Sequence, residues 1–251
     1  MDSEFNPLNF EGKKIFITGA SSGIGRATAI YLSRLGAKIV IHGRNPEKIN
    51  DTLHQLSGDG HIVLDEDLTT VENMEDIFKK ITDDGQKLDG MVHSAGIAPI
   101  RPLKSTVKKY LNEVMDINFY VFIELMRQYS KKKYNNGGSV VALSSIASIE
   151  GELCQTAYSA SKSAINAAVR TLSIELASKN IRVNAVMPGM VRTEMFNKSV
   201  DEGSDMEKLG ARSLLKVAEP EQIAAPITFL LSDMSSFITG RCLYLDGGRF
   251  L

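Results

Sequence analysis

Tyr158 and Lys162 are the two residues whose types and spacing most clearly offer chemistry. If Tyr158 lies near the start of a helix, positions i and i+4 share one face, so the phenol and the ammonium point into one site. A free tyrosine has a pKa near ~10, and a neighbouring cation favours the phenolate, which suits acid–base work at neutral pH. Such a pair can give a proton to a substrate oxygen or take one from it.

Context separates this pair from a second one, because the spacing alone also occurs on ordinary solvated helices. Tyr129 and Lys133 lie in YSKKKYNNGG, a lysine-rich run ending in turn residues, which is typical of the frayed end of a surface helix. Ser145 instead ends the apolar run SVVALSS, and a helix rich in alanine and serine follows after a loop. A strand end and a helix start can converge, so we expect Ser145, Tyr158 and Lys162 in one site.

A glycine-rich turn, TGASSGIG at residues 18–25, follows the apolar run KIFI and precedes a segment with helical periodicity. Glycines permit a tight bend close to a ligand, and the bare amides of a helix N-terminus suit a pyrophosphate. The spacing differs from the commoner G-x-G-x-x-G fingerprint, and many strand–helix turns hold glycines and bind nothing. With a strand before it and a helix after it, the turn predicts dinucleotide binding by Thr18, Gly19, Ser21, Ser22, Gly23, Ile24 and Gly25.

The second apolar run, AKIVIHGR, ends where a dinucleotide fold meets the adenosine ribose. An NAD enzyme would carry an acidic residue there for the ribose hydroxyls, whereas this chain has Gly43 and Arg44. An arginine can pair bidentately with the additional phosphate of NADP, which a carboxylate would repel. Arg44 therefore favours NADP over NAD. The alternative is a solvated loop arginine.

Ser145, Tyr158 and Lys162, together with TGASSGIG, resemble the classical short-chain dehydrogenase/reductase family over nearly the whole chain. By that resemblance Tyr158 is the general acid–base, Lys162 lowers its pKa and holds the nicotinamide ribose, and Ser145 hydrogen-bonds the reacting carbonyl. Asn118 matches the family asparagine that holds a water linking the lysine to solvent. A polar residue that kinks a buried helix is a compatible interpretation of Asn118.

The same resemblance assigns further cofactor contacts. It places Asp67 and Leu68 beside the adenine. The motif His93-Ser94-Ala95-Gly96 stands where the family usually has Asn-Asn-Ala-Gly, and we expect His93 to be a satisfied structural residue rather than a catalytic one. The remaining contacts implied by the resemblance are Ser94, Ala95, Gly96, Pro188, Gly189, Val191 and Thr193.

The composition suits one α/β domain with a sizeable core, since 43% of the 251 residues are hydrophobic and 24% are charged. Alternating strand-like and helical segments predict a Rossmann fold, a doubly wound parallel sheet of about seven strands with helices on both faces, as a single domain over 1–251. Residues 194–212 turn polar and lack a strong apolar period. We expect a mobile lid over the substrate there, or alternatively a solvated excursion.

Charge and residue counts disfavour several classes of function. A net charge of −1 offers no general field for nucleic acid or an anionic membrane, and no apolar run approaches the ~18 residues of a membrane span. Two cysteines and an acidic start predict a reduced, cytoplasmic, soluble protein without a disulfide framework. The four histidines are scattered, and no cluster at ligand spacing predicts a metal site.

Together the motifs predict NADP-dependent hydride transfer between nicotinamide and a carbonyl or alcohol, run as ketone reduction of a small-molecule or acyl-thioester substrate. The closest general resemblance is to 3-oxoacyl-[acyl-carrier-protein] reductases, for which lysines 131–133 and 179 could meet an acidic carrier; sugar, steroid and small-ketone reductases share the motifs. A non-catalytic NADP-binding regulator is the alternative, disfavoured by the intact Ser145, Tyr158, Lys162 and Asn118. Apolar surface on the helices near Asn118 and Tyr158 predicts a homo-oligomer, a tetramer.

Overall fold

The computed structural model describes residues 8–201, 208 and 210–249. Its strands form one seven-stranded sheet in which each neighbouring pair is parallel. The strands are β1 (Lys14–Thr18), β2 (Lys38–His42), β3 (Ile62–Leu64), β4 (Leu88–His93), β5 (Asn135–Leu143), β6 (Ile181–Pro188) and β7 (Cys242–Leu245).

Helices cover both faces of the sheet. One face carries α1 (Gly23–Arg34), α2 (Pro46–Leu53) and α8 (Pro220–Leu231), and the other carries α3 (Met74–Lys80), α5 (Val121–Tyr129) and α6 (Thr156–Leu176). A helix α4 (Lys108–Met115) packs against the start of α6, and α7 (Glu194–Asp201) follows β6. The predicted doubly wound parallel sheet of seven strands is confirmed.

The alternating side chains of each strand supply both cores. In β1, Ile15 and Ile17 pack under α1 and α8, whereas Phe16 packs under α3 and α5, because successive side chains of a strand point to opposite faces. All five residues of β1 are buried. Helices cover both faces of these strands, so neither face of a strand is exposed to water. The strands therefore appear in the sequence as nearly continuous apolar runs.

The strand order places the functional cleft. Across the sheet the order is β3-β2-β1-β4-β5-β6-β7, so the chain proceeds in one direction from β1 to β3 and in the other from β4 onward. In such sheets a crevice opens beyond the carboxyl ends of the strands where the order reverses. Thr18 and His93, which are paired at the ends of β1 and β4, lie at this point.

Two segments differ from expectation. The buried helix expected around Asn118 is a π-helical turn over Asp116–Tyr120, a feature that is frequent at functional sites. The segment 194–212 begins with α7, so a purely solvated excursion is wrong for 194–201; residues 202–207 and 209 lie outside the described residues, and the lid role stays a prediction. Among the described helices, none has the length and apolar character needed to cross a membrane.

Candidate active site

Lys162, on the second turn of α6, has its ammonium buried against the end of β5. Its Nζ donates a hydrogen bond to the carbonyl oxygen of Leu143 at 2.7 Å and lies 5.7 Å from the ring centroid of Tyr158. Burial lowers the pKa of Lys162 from its ordinary 10.5 to about 8. The helix thus brings the cation and the phenol to one place, as their spacing predicts.

Tyr158 shares the cleft with Ser145, which lies two residues after the end of β5. Burial raises the pKa of Tyr158, and a side-chain hydrogen bond with Ser145 opposes that rise. The Ser145 Oγ also accepts a hydrogen bond from the backbone amide of Ala147 at 3.1 Å, which fixes the start of the following turn. The net direction differs from the lowering expected from Lys162, because burial dominates and the lysine Nζ donates to a backbone carbonyl.

Asn118 is fully buried in the π-helical turn, and its amide is used within the protein. Its Oδ1 accepts from the backbone amide of Ile97 at 2.8 Å, and its Nδ2 donates to the carbonyl of Ile97 at 3.0 Å and to Ser161 Oγ at 2.9 Å. A Cβ built on Gly96 would lie 3.1 Å from Asn118 Oδ1 and 3.5 Å from Lys162 Nζ. Asn118 therefore fixes the loop after β4 beside Lys162. Its part in a water relay stays a prediction.

His93 connects the glycine turn to the turn that holds Asn118. Its Nδ1 lies 3.1 Å from Thr18 Oγ1 and its Nε2 lies 3.3 Å from the carbonyl oxygen of Asn118. Thr18 Oγ1 also accepts hydrogen bonds from the amides of Ser94 and Ala95, so we assign the Thr18 hydroxyl as the donor to His93 Nδ1. The ring proton is then on Nε2, which donates to the carbonyl oxygen of Asn118. Burial lowers the pKa of His93 to about 3, which keeps the ring neutral. These contacts are those of a satisfied structural histidine.

The turn after β1 forms a backbone cradle that side chains would fill. Gly19 has a φ of +68°, and a Cβ built there would lie 2.7 Å from the amide nitrogen of Ala95. A Cβ on Gly25 would lie 2.2 Å from the carbonyl oxygen of Gly19. Ser22, the N-cap of α1, makes no side-chain capping hydrogen bond, so the first amides of α1 remain for a ligand. These residues fit the pyrophosphate of a nicotinamide dinucleotide.

Gly43 and Arg44 lie at the far end of the cleft, where the adenosine of a dinucleotide would lie. A Cβ on Gly43 would come 2.8 Å from Ser21 Cβ, so packing against the glycine turn disfavours a carboxylate side chain at this position. Arg44 is exposed and lines the cleft. A hydrogen bond from the backbone amide of Thr69 lowers the pKa of Asp67, and the charge of Arg44 adds to this shift.

One cleft of about 350 Å³ collects most of the expected residues. Thr18, Gly25 and Asn118 lie behind its wall rather than in its lining. The expected residues that line it are Gly19, Ser21, Ser22, Gly23, Ile24, Arg44, Asp67, Leu68, Ser94, Ala95, Gly96, Ser145, Tyr158, Lys162, Pro188, Gly189, Val191 and Thr193. Within the described residues, no group of three or more His, Cys, Asp or Glu is arranged to hold a metal ion.

Some lining residues were not expected from the motifs. Glu152 and Gln155, on the loop between Ser145 and Tyr158, line the cleft. Their place between two proposed catalytic residues was the only signal in the sequence. Met195 and Phe196 of α7 also line it, so the segment expected as a lid does contribute to the cleft.

The second tyrosine–lysine pair is not at a frayed surface end, and that expectation was wrong for Tyr129. Its side chain is fully buried, and its hydroxyl donates to the carbonyl oxygen of Gly137 at 3.0 Å, because the chain turns back into β5 over the ring. Lys133 and Lys131 both pair with Glu75, at 2.7 Å and 2.9 Å. Tyr129 therefore lies in the core, away from the cleft.

Comparison with known proteins covers nearly the whole chain. A family profile described as Enoyl-(Acyl carrier protein) reductase matches residues 19–249. An L-rhamnose 1-dehydrogenase (NAD(P)(+)) of a Sphingomonas strain is 32% identical over 248 residues, covering 96% of this chain and 97% of that protein. A 3-oxoacyl-[acyl-carrier-protein] reductase of Thermotoga maritima is 31% identical over 249 residues, covering 96% of this chain and 99% of that protein.

Solved structures are similar over the same extent. A dehydrogenase/reductase of Sinorhizobium meliloti is 28% identical and superposes with a TM-score of 0.91, covering 98% of each chain. A candidate NAD(P)-dependent gluconate 5-dehydrogenase of Beutenbergia cavernae, with NADP bound at low occupancy, is 28% identical with a TM-score of 0.88. That superposition covers 97% of this chain and 99% of the other.

Proposed function

This chain belongs to the short-chain dehydrogenase/reductase family and is an oxidoreductase acting on CH–OH groups. We propose that it reduces a ketone with NADPH. The observation that carries the proposal is the meeting of Ser145, Tyr158 and Lys162 in one cleft with the glycine cradle. The nicotinamide, when bound, supplies the hydride to the carbonyl carbon.

The protein's own residues handle the proton. Ser145 and Tyr158 both line the cleft, so a carbonyl oxygen between them can accept a hydrogen bond from each hydroxyl. As negative charge develops on that oxygen, the Tyr158 hydroxyl gives it a proton, and the phenolate left behind is stabilised by the buried ammonium of Lys162 beside the ring. In the reverse direction the phenolate takes the proton from an alcohol.

The choice of NADP rests on the adenosine end of the cleft. Arg44 would hold the 2′-phosphate, and the packing of Gly43 against Ser21 disfavours the carboxylate that an NAD enzyme would use. The glycine turn and the first amides of α1 would hold the pyrophosphate.

The proposal includes a homotetramer. On the described surface, Ile174 of α6 and Leu243, Tyr244 and Phe237 at or near the edge strand β7 are exposed apolar side chains, which supports a partner there. On α5, the helix that follows Asn118, Phe122 packs into the protein's own core and gives no such support.

An acidic carrier protein receives no support from lysines 131 and 133, since Glu75 of the same chain engages both. We therefore propose a small-molecule substrate ahead of a carrier-bound one.

The test is NADPH consumption against a panel of hydroxyketones, sugars, plain ketones and 3-oxoacyl thioesters, with Tyr158→Phe as the matched inactive variant. Turnover of at least one carbonyl by the wild type, and its loss in the variant, is expected. Tight NADPH binding with no turnover across the panel would favour the non-catalytic NADP-binding regulator instead.

A further inference from the structure

The Ser145 end of the cleft has a charged wall that the proposed chemistry does not use. Glu150 and Glu152, on the loop after Ser145, meet two arginines from distant parts of the chain. Arg249 Nε lies 2.7 Å from Glu150 Oε2, and its Nη2 lies 2.7 Å from Glu152 Oε1. Arg212 Nη2 lies 2.7 Å from Glu150 Oε1. We call these two glutamates and two arginines the charged clasp.

The clasp balances its charges, and all its side chains except that of Arg212, which is 54% exposed, are largely removed from water. Only 2% of the Arg249 side chain and 13% of the Glu152 side chain are exposed. The clasp carries no net charge, so its arginines offer little attraction to an anionic substrate. Glu152 nevertheless lines the cleft together with Tyr158. Covering a carboxylate with hydrocarbon is costly, whereas hydroxyl groups can donate to it.

Gln155 adds an uncommitted amide to the same wall. It lines the cleft one turn before Tyr158, and its side chain has no hydrogen-bond partner in the described part of the chain. An amide side chain offers both donors and an acceptor. Glu152 and Gln155 therefore present acceptors and donors beside the two hydroxyls that meet the carbonyl oxygen.

Building on the proposed function, we infer that the substrate is an uncharged ketone with hydroxyl groups next to its carbonyl, or the matching polyol. Its hydroxyls would donate to Glu152 and bond with Gln155, while its carbonyl oxygen meets Ser145 and Tyr158. An aliphatic acyl chain would have to cover the Glu152 carboxylate and leave the Gln155 amide unpaired. A carboxylate-bearing substrate would find the arginines already neutralised by the clasp.

The experiment compares dihydroxyacetone with diethyl ketone, which has methyl groups in place of the two hydroxyls. The acetoacetyl thioester of N-acetylcysteamine serves as the acyl probe. With NADPH saturating, we expect the wild type to prefer dihydroxyacetone over both other ketones in kcat/KM. Replacing a hydrogen bond to a charged group changes affinity by roughly ten- to a hundredfold. Glu152→Leu should therefore raise the KM for dihydroxyacetone by about tenfold or more and leave diethyl ketone unchanged or improved.

Three further variants keep the result interpretable. Gln155→Leu should shift the same ratio in the same direction, and its native side chain has no partner whose loss would unfold the protein. Glu150→Gln loosens the clasp without altering the cleft lining, so it should change both ketones alike. Leu153→Ala, at a residue that is 88% exposed on the same loop, should change neither.

The outcomes separate this inference from the function on which it rests. A dihydroxyacetone-to-diethyl-ketone ratio that neither Glu152→Leu nor Gln155→Leu moves would overturn the inference. A wild type that turns over the thioester better than dihydroxyacetone would do the same while leaving ketone reduction intact. If the wild type reduces none of these three ketones and none of the compounds in the wider panel, both the proposed function and the inference are overturned.

Discussion

Two tyrosines, each one helical turn before a lysine, separate chemistry from packing in this protein. Tyr158 lines the cleft together with Ser145. Tyr129 is fully buried, and its hydroxyl donates to the carbonyl oxygen of Gly137 at 3.0 Å. We predict that replacing each with phenylalanine impairs a different property.

Tyr158→Phe removes the one hydroxyl placed to exchange a proton with the carbonyl oxygen. A positioned acid–base contributes a factor of ~10² or more, so kcat should fall by at least that factor while the Kd for NADPH stays nearly unchanged. The free energy of unfolding should change by less than ~1 kcal/mol, because the hydroxyl faces the cleft and water replaces the lost contact.

Tyr129→Phe removes a buried donor and leaves the carbonyl of Gly137 without it. Leaving a buried acceptor unsatisfied costs ~1–3 kcal/mol, so unfolding should need that much less free energy while kcat is retained. NADPH consumption at saturating ketone gives kcat, and urea unfolding at one protein concentration gives stability. Equal kcat losses in both variants, or unimpaired turnover in Tyr158→Phe, would refute the assignment of Tyr158.

Four other outcomes are expected. Arg44→Ala should reduce an NADPH-over-NADH preference of roughly ten- to a hundredfold towards unity in titrations of both cofactors; tighter NADH binding in the wild type would contradict it. His93 takes up a proton in the unfolded chain near pH 6.5 but in the folded chain only near 3. Its contribution to the free energy of unfolding should therefore fall by ~1.4 kcal/mol for each unit by which the pH is lowered between these values, and His93→Asn should remove that contribution. The unfolded chain keeps a proton on Lys162 up to a pH of about 10.5, whereas the folded chain keeps it only to a pH of about 8. The stability of the wild type relative to Lys162→Met should therefore rise with pH across that interval. A stability difference in urea unfolding that does not change with pH would count against a buried ammonium. Light scattering should give a mass several times 27.5 kDa; a mass near that value would reject the tetramer.

The features that the sequence determined are those with short-range causes. A glycine-rich turn directly between a strand and a helix favours dinucleotide binding, and the helical period alone places Tyr158 and Lys162 on one face. Alternating apolar segments likewise imply a parallel sheet with both faces covered. For these reasons the fold and many of the residues that line the cleft could be predicted without knowing any distance.

Tertiary structure decided the features that depend on which distant segments meet. The core covers Tyr129 because β5 returns over its ring, although YSKKKYNNGG is typical of a surface. Glu152 has an ion-pair partner because Arg249, far along the chain, reaches it. The pKa of Tyr158 moves up rather than down because burial, a property of the whole packed environment, outweighs the lowering effect of Ser145. Desolvation and long-range pairing leave no periodic trace in the sequence, so only the folded chain could decide them.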